Sequence, residues 1–429
     1  MKKTGVLLLA IFSLLFVSPS FAAEAQSTVN AETTFIFNTL LFLVCGFLVM
    51  FMAPGFAMLE CGLVTSKSVS SIAAKNIALY AIAGIMFWLC GYNLAYGIPE
   101  GGFIGSFSPW SDGTDFTKDT YAAGSDWYFQ MVFCATTASI VSGTLAERIK
   151  IWPFFLFTAI LCGVLYPIEM GWQWGGGWLS AKGFSDFAGS TLVHAAGGAA
   201  ALAGAIVLGP RLGRFVKGAH LTPYAASSIP LATLGVFVLW FGWFGFNGGS
   251  QLALGTFDDA KSISTIFINT NLAACTGVMV NAVITRVIGG KTDVVMMLNG
   301  ALGGLVAITA EPLAPSPFAA ICIGGIGAAI VVIGSTVLEK LKIDDVVGAV
   351  PVHLFAGIWG TLAVPITNAD TTFATQFLGT FSVVAFMFVA SLIIWSILKV
   401  TIGIRISDEA QKKGTDVSEI GVVAYAIRD

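Results

Sequence analysis

The chain has 429 residues, of which 56% are hydrophobic and only 10% charged, with mean hydropathy +0.86 and net charge −3. Soluble globular proteins carry about 25% charged residues, so that class is excluded, and the slight negative charge offers nothing to a nucleic acid. The 49 glycines, set among long apolar runs, match the composition of close-packed transmembrane helices.

Taken in order, the chain begins with Lys2, Lys3 and an apolar run from Gly5 to Val17. The run is too short to cross a bilayer, and Ser20 and Ala22 suit cleavage after Ala22, so residues 1–22 read as a signal peptide. Stretches of about 20 apolar residues, the length that spans, then fall near 34–60, 77–98, 126–146, 151–171, 187–208, 224–247, 262–285, 293–312, 317–338, 346–366 and 373–402. The expected fold is an all-α polytopic membrane protein with eleven transmembrane helices, its mature N-terminus outside and its C-terminus in the cytoplasm. Charge tests that orientation independently. Sixteen Lys and Arg residues, among them Lys75, Arg148 and Arg211, fall in segments assigned to the inside, against Lys118, Lys182 and Lys261 outside. The segment from Pro99 to Ser125 reads as a solvated outer loop, and His220 as a surface residue of an inner loop.

An odd number of spans in each half makes 34–208 and 224–366 an inverted repeat, followed by one extra helix at 373–402. Residues 23–405 then form the transmembrane domain and 406–429 a cytoplasmic tail. Transporters of this plan place their site between the repeats near mid-membrane. Each half closes on the same pattern: DFAGSTLVHAAGG from Asp186 to Gly198, and DVVGAVPVHLFAG from Asp345 to Gly357. His194 and His353 each stand about 8 residues into a span, ~12 Å at 1.5 Å per residue, from opposite faces, so the rings reach similar depth. An ionisable side chain there points to function, although two imidazoles bonded to each other merely to satisfy buried polar atoms fit the same pattern. Asp186 and Asp345 each precede a span, where an Asp serves as a helix cap; Asp186, near the outer mouth, also suits attraction of a cation.

No third ligand accompanies the histidines, so no metal site is expected. The seven cysteines lack any CxxC spacing and read as small buried hydrophobes. No cofactor and no nucleophile, base and acid set of an enzyme is expected either. Trp172, Trp174 and Trp178, and the stretch from Gly242 to Ser250, cluster where spans meet the outer face. A single Trp there is commonly an interfacial anchor, but rings beside a hydroxyl also make a cation-π cage.

These stretches, together with GFAMLECG (55–62), GYNLAYG (91–97), SGTLAERIK (142–150), WGGGWLSAKGFSDFAGSTLVH (174–194), GWFGFNGGS (242–250) and VPVHLFAGIWG (350–360), resemble the ammonium transporter family of Amt, Mep and Rhesus proteins, over nearly the whole mature chain. The resemblance, closest to the bacterial Amt type, implies an outer recruitment site of Phe133, Trp174 and Ser250, with Asp186 holding it in shape. It further implies a gate of stacked Phe133 and Phe246, a pore lined by His194 and His353, and Trp243 beside that path. It implies a homotrimer in a bacterial inner membrane and a PII-type signalling protein as cytoplasmic partner. Val346 departs from the proline common in the family, and Ile420 from a histidine common in its tail.

The chemistry expected follows from charge. Ammonium cannot cheaply enter an apolar pore, and with an amine-like pKa near ~10 only about a thousandth is neutral at pH 7. A cage that collects the cation, a pair that takes up the proton and a pore that passes ammonia together make a selective transporter; burial favours the uncharged imidazole able to accept it. The rivals are a passive gas channel of Rhesus type and an ammonium sensor that signals through the C-terminal tail.

Overall fold

The computed structural model describes residues 30–216 and 224–425; the expected leader at 1–22 and His220 lie outside them. Among the described residues there is no β-strand, only one backbone bridge between Ile149 and Arg405. Among the same residues nine helices are long and apolar enough to cross a membrane: α1 (Ala31–Leu63), α2 (Val69–Tyr96), α4 (Ile151–Gly171), α5 (Ser190–Leu208), α6 (Ile229–Gly249), α7 (Phe257–Gly289), α9 (Pro317–Lys340), α10 (Val350–Thr367) and α11 (Phe373–Thr401). Packed among them are α3 (Ala123–Thr144), whose polar Ser and Thr are buried, and the shorter α8 (Val294–Ile308). A last short helix, α12 (Asp408–Lys413), lies in the tail.

Burial sorts the helices into layers. Of the apolar window in α5, 83% is buried, against 22% in α7, so α5 is central and α7 peripheral. Large apolar side chains such as Ile77, Trp152, Phe241 and Val400 point outward. A helix satisfies its own backbone and can present such side chains to hydrocarbon.

The central contacts come in reciprocal pairs. A Cβ on Gly198 of α5 would meet Leu354 N of α10 at 2.5 Å, while one on Gly357 of α10 would meet Ala195 N of α5 at 3.1 Å. The glycine four residues past each histidine is thus the seat for the backbone beside the other histidine. Helices α1 and α6 repeat the arrangement: Gly55 faces Leu239 and Gly242 faces Met52, Gly62 faces Ala232 and Gly249 faces Cys45. Small residues here let backbones touch, which favours association where apolar burial alone gives no driving force.

Several boundaries differ from those read by hydropathy. Helix α2 begins at Val69, not near 77, and carries Lys75 inside it, 3% exposed. The lysine is tolerated because its Nζ donates to Ser142 O (2.6 Å) and lies 4.0 Å from Glu60. Arg148 and Arg211, assigned to inner segments, are likewise buried. Five cysteines are buried as expected, but Cys275 and Cys322 face outward.

Candidate functional site

Local backbone geometry fixes the two histidines. Asp186 is fully buried, and its carboxylate accepts from the N–H groups of Gly189, Ser190, Thr191 and Leu192 at 2.8–2.9 Å. Those donors have no partner within the helix they open. Gly189 turns the chain at φ 105° and Gly348 does the same at φ 79°, conformations that glycine adopts without steric cost. Asp345 holds the second start more lightly, accepting from Val350 N (2.7 Å) and from the Thr144 hydroxyl (3.1 Å). Each helix then opens with a π-helical turn, Ser190–Ala195 and Val350–Phe355, with its histidine inside. Such widened turns recur at functional sites.

His194 Nδ1 and His353 Nδ1 lie 3.2 Å apart. One must donate and the other accept, so the pair holds opposite tautomers and shares one proton between these atoms. The environments are matched too: His194 stacks on Trp243 of α6 (centroids 4.9 Å), and His353 lies beside Phe56 of α1 (6.0 Å). The Trp243 indole is pinned by its N–H donating to Thr309 Oγ1 (2.8 Å).

On one side of the pair His194 stacks on Phe246 (5.3 Å), and Phe246 stacks on Phe133 (3.9 Å, 24°). Trp174 meets Phe133 edge-on at 6.0 Å, and its indole N–H donates to Asp186 O (2.9 Å). Trp174, Ser250 and Phe133 line a cavity of about 330 Å³, called the vestibule below. Asp186 contributes its backbone to that wall's support; its carboxylate is taken up by the helix start and does not line the cavity. The vestibule also holds Asp126, which the sequence reading passes over. Tyr92 donates to one of its oxygens (2.5 Å) and Gln130 to the other (3.1 Å). The available signal was an acid in the first turn of a span, indistinguishable in sequence from a cap.

The other side of the pair is narrow. His353, Phe56, Glu60, Asn299, Val347 and Gly348 line a cavity of about 10 Å³. Beyond it the segment before α10 is tied down: Asn299 donates to Val347 O (3.2 Å), and Arg211 donates to both carboxylate oxygens of Asp344 (2.8 and 2.9 Å) and to Glu147. Burial alone would raise the Asp344 carboxyl, but hydrogen bonds from Arg211 and the charges of Arg148 and Arg211 bring it down to about 2. The tail packs on this face. Asp416 accepts from Val69 N (3.1 Å) and Ser71 N (2.8 Å) at the start of α2, and Glu419 from Ile151 N (3.0 Å) at the start of α4. Among the described residues no cluster of three or more His, Cys, Asp or Glu gathers to hold a metal ion.

Known proteins resemble this chain in sequence and in fold. Residues 40–425 match the Ammonium Transporter Family. A putative ammonium transporter of Synechocystis is 38% identical over 96% of this chain and 94% of its own, and ammonium transporter Amt2 of Archaeoglobus fulgidus is 39% identical over 89% and 87%. Among solved structures, a sensor Amt protein superposes with TM-score 0.86 at 32% identity, covering 91% of this chain and 100% of its own. Mep2 of Candida albicans does so with TM-score 0.79 at 26% identity, over 89% of each chain.

Proposed function

Because the chain belongs to the ammonium transporter family, whose members are transporters and not enzymes, we propose that it recruits ammonium at the vestibule, takes one proton from it, and passes ammonia through the column at the histidine pair while the proton crosses on the two imidazoles. One observation carries this reading: Trp174, Phe133, Phe246, His194 and His353 form an unbroken file of rings leading from a cavity with an acid in its wall to a buried, proton-sharing pair. Trp174 and Phe133 supply π faces for a cation, Ser250 a hydroxyl, and Asp186 the backbone carbonyl that fixes Trp174. Phe133 and Phe246 close the file to hydrated ions, and Trp243 holds His194 in plane.

All eleven helices α1 to α11 cross the membrane in this reading, 34–208 and 224–366 as inverted repeats and α11 as the added helix. The charge bias puts the vestibule outside and the tail in the cytoplasm of a bacterial inner membrane, after removal of 1–22. Residues 23–405 form the transport unit, and 406–429 the tail through which a PII-type protein acts. The protein works as a homotrimer with one path per subunit. The close contacts at Gly198 and Gly357 lock α5 to α10, which favours a fixed pore over rocking of one half against the other.

The test is current. In proteoliposomes the His194→Leu/His353→Leu variant, which keeps a packed apolar wall, should lose ammonium-driven current by at least tenfold while assembling normally. Full current from the assembled variant ends the relay. A neutral-gas channel is disfavoured because an acid and the π faces at Trp174 in one cavity suit a cation better than a neutral solute. A sensing role has one observation in its favour, the likeness to the sensor Amt protein together with a tail seated on α2 and α4. Ammonium binding without any current would select it.

A further inference from the structure

The reciprocal contacts between α1 and α6 set their residues in register, and along that register Phe56 answers Trp243 and Glu60 answers Asn247. Each lies one helical turn past the aromatic residue beside a histidine. Both carry a buried oxygen with no partner among the described residues, Glu60 Oε1 and Asn247 Oδ1. The backbone arrangement is therefore the same on the two sides of the pair, and the chemistry is not. Asn247 cannot hold a proton, whereas Glu60 can.

The surroundings of Glu60 fit that difference. Its Oε2 accepts from the Ser142 hydroxyl (2.7 Å) and lies 4.0 Å from Lys75 Nζ, which donates to Ser142 O (2.6 Å). Glu60 and Lys75 are 1% and 3% exposed. A buried ion pair stabilises a fold weakly at best, since desolvation offsets its Coulomb attraction. Stability alone therefore gives little reason for one here. Glu60 also lines the cavity of about 10 Å³ that His353 lines, room for one water-sized molecule. His353 Nδ1 is occupied by His194, so Nε2 is the nitrogen left for that cavity.

We propose that Glu60 is the tail-side terminus of the proton relay, receiving the proton from His353 through the molecule in the shared cavity and returning it to ammonia as ammonia leaves. This rests on the transport reading above. Ammonium gives a proton to His194 Nε2, the shared proton passes from His194 Nδ1 to His353 Nδ1, and the His353 Nε2–H bond breaks. A water in the cavity takes that proton and gives one of its own to Glu60 Oε1, so one O–H bond forms as one N–H bond breaks. Ammonia then takes the Glu60 proton with its lone pair. The O–H electron pair stays on the carboxylate, which faces the Lys75 ammonium. The pair is left in exchanged tautomers, His194 protonated at Nε2 and His353 at Nδ1. Each imidazole regains its first tautomer by losing a proton to water at one nitrogen and gaining one from water at the other, so that no proton returns across the pair. One positive charge crosses per turnover.

The experiment compares ammonium-driven currents in proteoliposomes, each normalised to assembled protein, for wild type, Glu60→Gln, Glu60→Asp, Glu60→Gln/Lys75→Met and His194→Leu/His353→Leu. Glu60→Gln keeps the shape and the bond from Ser142 and should lose at least tenfold in current. Glu60→Asp should recover part of it. The double variant leaves no unpaired lysine, so it folds even if Glu60→Gln does not, and its current should stay low. Recovery of full current by Glu60→Gln/Lys75→Met would make the pair a packing device and overturn the proposal. If the His-pair variant loses its current and Glu60→Gln keeps all of its own, only the role of Glu60 falls. If the His-pair variant keeps full current, the relay and its terminus fall together.

Discussion

The two sides of the histidine pair share a packing plan and almost nothing else. Toward the vestibule the wall is aromatic, Phe246 stacks on Phe133, and the space opens to about 330 Å³. Toward the tail the residues in register are Leu59 for Phe246, Phe56 for Trp243 and Glu60 for Asn247, and the space shrinks to about 10 Å³. Charge follows the same division. Arg211, Asp344, Glu147 and Arg148 form a buried network under the narrow side, while the wide side holds Asp126 among phenol and indole rings. A duplicated backbone thus specifies where the pair sits, and side chains at matched positions decide which end opens into an aromatic cavity and which is tied shut.

The sharpest break in this comparison lies at the helix starts. Asp186→Ala orphans four buried backbone donors, at about 1–3 kcal/mol each, so a loss on the order of 5 kcal/mol is expected. Asp345→Ala orphans one backbone donor and one hydroxyl and should cost about 2 kcal/mol. Thermal unfolding in detergent measures both, and equal losses would mean that the two starts are held alike. Next comes the ion network of the narrow side. Asp344 titrates near 2 when folded, below its ordinary 3.8. A depressed carboxyl contributes stability that is present above its unfolded pKa and is lost as pH falls through the folded one. The difference in stability between wild type and Asp344→Asn should be level above pH 4, about 2 kcal/mol, and vanish between about pH 4 and pH 2. A difference that grows on acidification would contradict the pairing with Arg211. The smallest effect belongs to the wide side, where Trp174→Leu should weaken competition by methylammonium by about 1 kcal/mol, roughly fivefold. Unchanged competition would reduce Trp174 to an interfacial anchor.

What the sequence discloses depends on repetition. His194 and His353 stand out because the Asp, Gly, His and second Gly recur at one spacing, and the structure supplies the reason for every member: cap, left-handed turn, paired ring and backbone seat. Isolated acids without a repeat are mute. Asp126 stands in the first turn of a span, where a cap and a site residue look alike, and Glu60 is a single acid at the end of an apolar run. Lys75 depresses the hydropathy of α2 and pushes its apparent start toward 77, because a scale of solvation sees the charge but not Glu60 and Ser142 across the interface. Phe133 is reached only through the family resemblance, one phenylalanine among 34. The π-helical turns leave no periodicity long enough to read.

The seating of the tail has a consequence for the order in which the molecule is made. The backbone donors at the start of α2 are met by Asp416, 347 and 345 residues downstream, and the one at the start of α4 by Glu419, 268 residues downstream. At a synthesis rate of about 5–20 residues per second, those two helix ends wait on the order of tens of seconds for partners that do not yet exist, until Asp416 and Glu419 emerge. Helices α1 to α11 can all form before these ends are closed, so their closure is a separate and later event of biogenesis. A ribosome that stops between the end of α11 and Asp416 releases a chain with α1 to α11 complete and two of its earliest helices still open at one end.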